Sequence, residues 1–251
     1  MEVDQTASVF FVSAGVTNRL DLTVFVPVLA VTATADNQVV VDHGNGTSER
    51  FPRYDTRGSS SGLGDVDFRA KYRATNQRGG GLALVGDLRV PTGDKENLLG
   101  LGTMQVKIGA LYSAELRRLA PHANVSFVAT PRREIHPFAV GSLELRRQTE
   151  LNAVFGAEAT PDPKVTVSAD VLYRHLPSGG RLEYVQLGAP DLSAPQRLVL
   201  KDVGSTSWSF GAAVKVNVAN KLLIGGSVLV SLNDSGLRDK ITPGLQVEYS
   251  F

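Results

Sequence analysis

Charged and apolar residues alternate along this chain with a period of two. Asp65, Asp67, Arg69, Lys71 and Arg73 interleave with Val66, Phe68, Ala70, Tyr72 and Ala74. A strand with one wet face and one apolar face changes character at every residue, so the stretch predicts a half-exposed β-strand. The pattern returns where Leu82, Leu84, Leu88 and Val90 stand against Asp87 and Arg89. It returns again where Met104, Val106, Ile108, Ala110 and Tyr112 stand against Thr103, Gln105 and Lys107. In all, eleven strands are expected, at about 6–16, 20–35, 64–75, 81–91, 103–115, 122–129, 151–159, 164–175, 206–218, 221–232 and 241–251.

The connections between them sort into two kinds. Short ones fall at 17–19, 76–80, 117–121, 160–163 and 219–220, and long ones at 36–62, 92–102, 130–150, 176–205 and 233–240. Strict alternation of tight turns with long loops is the layout of an antiparallel up-and-down transmembrane β-barrel, with turns on one rim and loops on the other. Such barrels have an even number of strands, so about twelve are expected, the missing one running upward before residue 1. Residues 137–147 alternate weakly and are read as loop. The expectation is therefore an all-β chain in which residues 1–251 form one barrel domain, with Phe25, Tyr72, Tyr112, Trp208, Tyr249 and Phe251 in aromatic girdles at the membrane interfaces. A soluble sandwich or lipocalin-like barrel is the other all-β reading. The density of charge on the polar set suits a wet lumen better than the outer surface of a sandwich.

Composition narrows the function more than the fold. With 26 Lys+Arg against 25 Asp+Glu the chain has a formal charge of +1, so no global field favours nucleic acid. Cysteine is absent, which removes disulfides, thiolate metal ligands and cysteine nucleophiles together. Met1 to Asp4 open without the basic and apolar regions of a signal peptide, so a leader is expected to lie outside this numbering. The longest uncharged apolar stretch, Leu22 to Ala35, is 14 residues and contains Pro27. That is short of the ~20 residues a spanning helix needs.

Candidate chemistry is sparse. Gly58 to Gly62 fits the pattern of a nucleophile elbow, which requires a strand-to-helix turn, yet it lies in a Gly/Ser stretch before a strand. His43, His122, His136 and His175 have no ligand spacing and are read as loop or interface positions, so no metal site is expected. Asp94 and Glu96 in the segment 92–97 have the chemistry to chelate a cation, but Lys95 stands between them and a solvated loop is the simpler reading. No cofactor motif occurs. What remains is the charged ladder. Asp65, Asp67, Arg69, Lys71, Arg73, Asp87, Arg89, Gln105 and Lys107 are expected to line a lumen, within cross-strand reach of one another. They either neutralise one another and stiffen the wall or set the field of a pore.

Two neighbouring stretches carry a family resemblance: GLGDVDFRAKYR at 62–73, then GDLRVPTGD at 86–94 continuing through NLLGLGT at 97–103. With GVTNRLDL at 15–22, FGAE at 155–158 and the strand at 165–172, they resemble an outer-membrane transporter family associated with the meta-pathway of phenol degradation. The likeness covers most of the chain and departs from the family at the front, where its first strand is missing. It implies a bacterial outer-membrane barrel, with no catalytic centre, that passes hydrophobic or aromatic compounds. In the 176–205 insert, Leu182, Tyr184 and Leu187 are apolar groups without a predicted strand, suited to a greasy access site for such a solute. The last residues, VEYSF at 247–251, resemble the C-terminal signal by which Phe251 engages the barrel-assembly machinery. The implied partners are outer-membrane lipid, a small-molecule solute and that machinery. A structural barrel whose loops carry binding is the competing function.

Overall fold

A computed structural model describes residues 2–250 except 38–39, 43–47, 51–53, 76–78, 132, 136–142, 146, 179–180, 187–195, 202, 220 and 235–238. The chain begins with β1 (Glu2–Gly15), β2 (Leu20–Asn37), β3 (Val40–Asp42), β4 (Ser48–Arg50), β5 (Tyr54–Leu63) and β6 (Val66–Arg73). It continues through β7 (Gly80–Val90), β8 (Gln105–Ala114), β9 (Leu119–Thr130), β10 (Arg133–Ile135), β11 (Leu143–Leu145) and β12 (Gln148–Asp162). The last third holds β13 (Val165–Leu176), β14 (Arg181–Gln186), β15 (Gln196–Lys201), β16 (Ser205–Ala219), β17 (Leu222–Ser231) and β18 (Ile241–Tyr249). No helix occurs among the described residues.

Twelve of these strands form one antiparallel, curled sheet in the order β1-β2-β6-β7-β8-β9-β12-β13-β16-β17-β18, with β5 also paired to β2. β5 and β6 share one place in the wall, because β2 is long enough to pair with both: Val28 faces Leu63, and three residues earlier on β2 Phe25 faces Asp67. Between those pairs Val26 and Pro27 stand opposite Gly64, Asp65 and Val66, a one-residue bulge. Pro27 has no N–H to give the ladder, which is why the irregularity falls there. The Gly64 amide still donates to the Pro27 carbonyl at 2.8 Å. The wall thus has eleven positions, as the alternation predicts. β3–β4, β10–β11 and β14–β15 are separate two-stranded hairpins, all within long loops.

The structure corrects three sequence readings. Residues 36–62 are not all loop, since β2 runs to Asn37 and β5 begins at Tyr54. The expected strand at 64–75 is accordingly the lower part of a longer, broken one. The insert at 176–205 carries strand structure: Leu182 and Tyr184 lie on β14, paired with Leu200 and Leu198 of β15. Leu187 lies outside the described residues. Residues 143–145 of the weakly alternating segment belong to the β10–β11 hairpin, off the wall.

The outward face is apolar and bare. Ile108 is 61% exposed and Phe155 54%, and Phe68, Leu84, Val106, Val125, Phe127 and Phe210 are exposed beside them. The buried hydrophobic residues among those described are Val31, Ala83, Val85, Leu99 and Val128, with no large side chain fully enclosed. A sandwich core is therefore absent, and a continuous exposed apolar belt of this kind is sustained only against an apolar medium. Tyr72, Tyr112 and Tyr249 point outward near the turn rim. Tyr173 and Trp208, with ring centroids 4.8 Å apart, sit outward near the loop rim, and His175 stacks on Tyr173. Phe25 does not join either girdle: it faces inward, 5.9 Å from Phe11 and with the Arg69 guanidinium 4.8 Å over its ring.

β1 and β18, at the two ends of the sheet, run in the same direction, and no ladder joins them among the described residues. Leu245 of β18 is 84% exposed. An antiparallel closure of this seam takes an odd number of intervening strands, those next to β1 and β18 running opposite to them.

Candidate functional site: the charged interior

Which face is inside follows from a cavity of about 610 Å³ touched by Arg69 of β6, Lys107 of β8, Ser126 of β9, Arg174 of β13, Ser209 of β16 and Thr242 of β18. Strands that far apart in the sheet meet one space only if their shared face is concave. Register then carries the assignment around the wall. Asp67 pairs with Arg89 and Arg69 with Asp87 across β6–β7, and Asp87 pairs with Lys107 across β7–β8.

The side chains complete those pairs. Arg69 donates to Asp87 through Nε at 2.8 Å and Nη2 at 2.9 Å, and Arg89 reaches Asp67 through the same two nitrogens at 2.9 Å each. Lys107 Nζ lies 3.0 Å from the second oxygen of Asp87. Two-pronged arginine–carboxylate contacts fix orientation as well as charge, so the ladder is a stiff lattice across three strands. Gln105 donates to Thr130 at 2.8 Å nearer the loop rim. Lys71 and Arg73 border a second cavity of about 930 Å³ toward the turns, with Asp21, His122, Asn124 and Glu158.

Asp65 does something other than face open lumen. It is 7% exposed, and its two carboxylate oxygens accept the Gly93 N–H at 3.0 Å and the Leu101 N–H at 2.7 Å. Those amides are the two ends of the β7–β8 loop, so one carboxylate closes its neck. Thr92 Oγ1 accepts from the Val66 amide and donates to the Gly64 carbonyl, and Ser60 Oγ donates to the Asn97 carbonyl at 2.6 Å. Leu99 tucks under the loop, 6% exposed, where a Cβ on Gly62 would come within 3.1 Å of it. At the neck the chain packs so closely that a side chain on Gly93 would overlap the Leu99 carbonyl, and one on Gly100 the Asp65 carboxylate and the Gly93 carbonyl. The loop therefore folds inward over β5, on the face that also carries Leu29 and Val31.

Asp94 is spent within this loop, accepting from the Glu96 amide at 2.9 Å and the Asn97 side chain at 2.7 Å. The Asn97 amide, and after it the Glu96 N–H, hold its carboxyl below the ordinary carboxylate range. Gly58 to Gly62 lie on β5 with no strand-to-helix turn, so the elbow geometry is not met. No group of three His, Asp or Glu suited to a metal ion occurs among the described residues.

His122 is an interior residue that sequence reasoning placed at a loop or interface. Its Nε2 lies 2.6 Å from Asp170 Oδ1, although β12 runs between their strands. Register explains the reach: Gly156 of β12 pairs with His122 on one side and Asp170 on the other, and Asp170 is flanked next by Gly211. A Cβ on Gly156 would overlap the Asp170 carboxylate and crowd the Ala169 carbonyl. Gly156→Ala is accordingly expected to separate the pair and destabilise the protein by ~1–3 kcal/mol, as overpacking does. Chemical denaturation in detergent measures this; an unchanged midpoint would show the wall yields freely there.

The fold so defined is that of a bacterial outer-membrane β-barrel wall: all-β, antiparallel, turns on one rim and long loops on the other. A crystal structure of an outer membrane channel from Pseudomonas putida F1 matches it with a TM-score of 0.63, over 98% of this chain and 83% of that one, at 14% sequence identity. A Pseudomonas aeruginosa FadL homologue aligns with a TM-score of 0.41 at 12% identity, over 91% of this chain, which spans 60% of that protein. No family model and no curated protein matches the chain.

Proposed function

We propose that this protein is a channel of the bacterial outer membrane, passing small solutes through its interior without a catalytic step. The observation that carries the reading is the pairing of a bare apolar outer face with a polar, cavity-bearing inner one in the same strands. Between its two edge strands such a sheet satisfies its backbone groups within itself, as a bilayer demands, and it can keep water on one side only. The eleven wall positions lie between the eight strands whose lumen side chains can fill and the sixteen or more of a wide aqueous pore. The interior groups and the inward loop then decide what passes.

Solutes with a hydrophobic or aromatic body fit best. Phe11 and Phe25 give the interior an apolar sector beside the charged ladder, and the family resemblance points to the same class. Leu182 and Tyr184, on the β14–β15 hairpin, and Leu187 are proposed to meet the solute first. Lipid of the outer membrane contacts the belt, and the segment 247–251 with Phe251, which lies outside the described residues, engages the assembly machinery. The hairpins β3–β4, β10–β11 and β14–β15, all on the loop rim, favour a second reading in which the loops bind a ligand and nothing crosses.

Planar-bilayer recording on the full chain separates the two. Discrete conductance steps are expected; a protein that inserts in folded form and gives none would leave the loop-binding reading. Deleting residues 179–202 is expected to lower uptake of small aromatics by cells while the wall still assembles. Unchanged uptake would remove the hairpin from the solute path.

A further inference from the structure

Among the described residues, each ion pair whose cation borders the 610 Å³ cavity has the acid as its more deeply set partner. The side chains of Arg69 and Lys107 are 37% and 33% exposed, whereas that of Asp87, which holds both, is 11% exposed. Arg174 is 55% exposed and its partner Glu150 18%. The carboxylates stand against the wall and the cations cover them. Arg69, Lys71, Lys107 and Arg174 border the cavity, with Asp239 as the one acid on its boundary among the described residues.

These cations keep hydrogen-bonding capacity. A guanidinium has five N–H donors and an ammonium three. Arg69 commits two to Asp87, Lys107 and Arg174 commit one each, and Lys71 makes no ion pair among the described residues. Beyond the cations the lining includes Ser207, next to Arg174 across the β13–β16 ladder, and Ser231, whose hydroxyl donates to the Asp239 carbonyl. Val85, Leu111, Val154 and Leu172 line the same cavity, and an inorganic ion would leave them without a partner.

We propose that this cavity is the selectivity site of the interior and takes small organic anions, a carboxylate on an apolar body. The carboxylate lies against the cations, its body on the aliphatic side chains. At about 610 Å³ the space has the size of an ordinary ligand pocket and room for a one-ring acid with some of its water. The turn-side cavity is a different environment, since Lys71 and Arg73 there face Asp21 and Glu158 as well as His122. With Glu115 its lining holds three carboxylates against two cations, which does not favour an anion.

The inference rests on the channel reading, and its test keeps the two apart. The full chain in planar bilayers under a KCl gradient is expected to give a reversal potential of anion preference. Benzoate should reduce chloride current, and its neutral analogue benzamide should not. Lys71→Gln, which breaks no ion pair, is expected to lower the anion-to-cation permeability ratio about threefold, the order of one charge a few ångströms away in a wet site. Lys71→Arg should restore it. Current with no anion preference, or equal block by benzamide, overturns the inference. If no current is seen, calorimetry of benzoate on the detergent-solubilised protein decides. Binding weakened by Lys71→Gln upholds the site and sinks transport, and no binding sinks both.

Discussion

Replacing Ile108 by arginine is expected to destabilise the folded protein in lipid by about 2–4 kcal/mol, the cost of a cation on the lipid face of a β-barrel near mid-membrane. Ile108 lies near the middle of β8, 61% exposed and pointing out of the wall, with Phe127 beside it across the ladder to β9. Nothing on that face offers the guanidinium an acceptor, and the rims are too far along the strand for it to reach water without distorting the bilayer. Ile108→Leu, which keeps the apolar surface, should change stability by less than about 1.5 kcal/mol. Urea titration of folding into lipid vesicles reads both, using the fluorescence of Trp208, the chain's single tryptophan. Should the arginine variant fold as well as the parent, the outer face would not be in hydrocarbon and the membrane reading would fall with it.

The wall was legible in the sequence because its physics is local. Where a strand divides lipid from lumen, each residue's neighbour must differ in kind, and β6, β7 and β8 show that at nearly every position. β5 escaped because Gly58, Ser59, Ser60, Ser61 and Gly62 do not alternate. Its interior face is occupied by the folded-in loop, so small residues are what fit there, as the contact of Gly62 with Leu99 shows. Phe25 was placed in a girdle because an aromatic near a strand end usually belongs there. Its true side is set by the β2–β6 register, which opposes it to Asp67.

Pairs that span the sheet were beyond sequence reading for a different reason. His122 and Asp170 are 48 residues apart and meet only because a glycine stands between their strands. A histidine with no nearby ligand gives no sign of that. The one available signal was Gly156 itself, a glycine in the middle of an otherwise regular strand, where close approach by a neighbour is a standard cause. Asp65 was equally hidden. As the first charge in an alternating run it reads like Asp67, but its partners are backbone amides 28 and 36 residues downstream, and backbone groups leave no mark in a sequence.

Asp65→Ala is therefore expected to release the β7–β8 loop from the interior while the wall stays folded. Each hydrogen bond from a backbone amide to a buried carboxylate is worth about 1.5–3 kcal/mol, and removing the acceptor leaves two amides unmatched. The remaining ties are three neutral hydrogen bonds, two between Thr92 and the bulge and one from Ser60 to the Asn97 carbonyl, together with the burial of Leu99. Those are opposed by the backbone strain of Leu98, which sits at φ 59° in the region that favours glycine. Lys95 lies within the loop and gives the measurement its handle. Trypsin is expected to leave the parent intact at that site and to cut Asp65→Ala between β7 and β8, yielding two fragments that remain associated through their ladders. Asp65→Asn keeps one acceptor and should fall between the two. In bilayers the same variant should show altered conductance, because the loop no longer covers Leu29 and Val31. Equal protection of Lys95 in parent and Asp65→Ala would mean that the neck is held by Gly93–Gly100 packing rather than by the carboxylate.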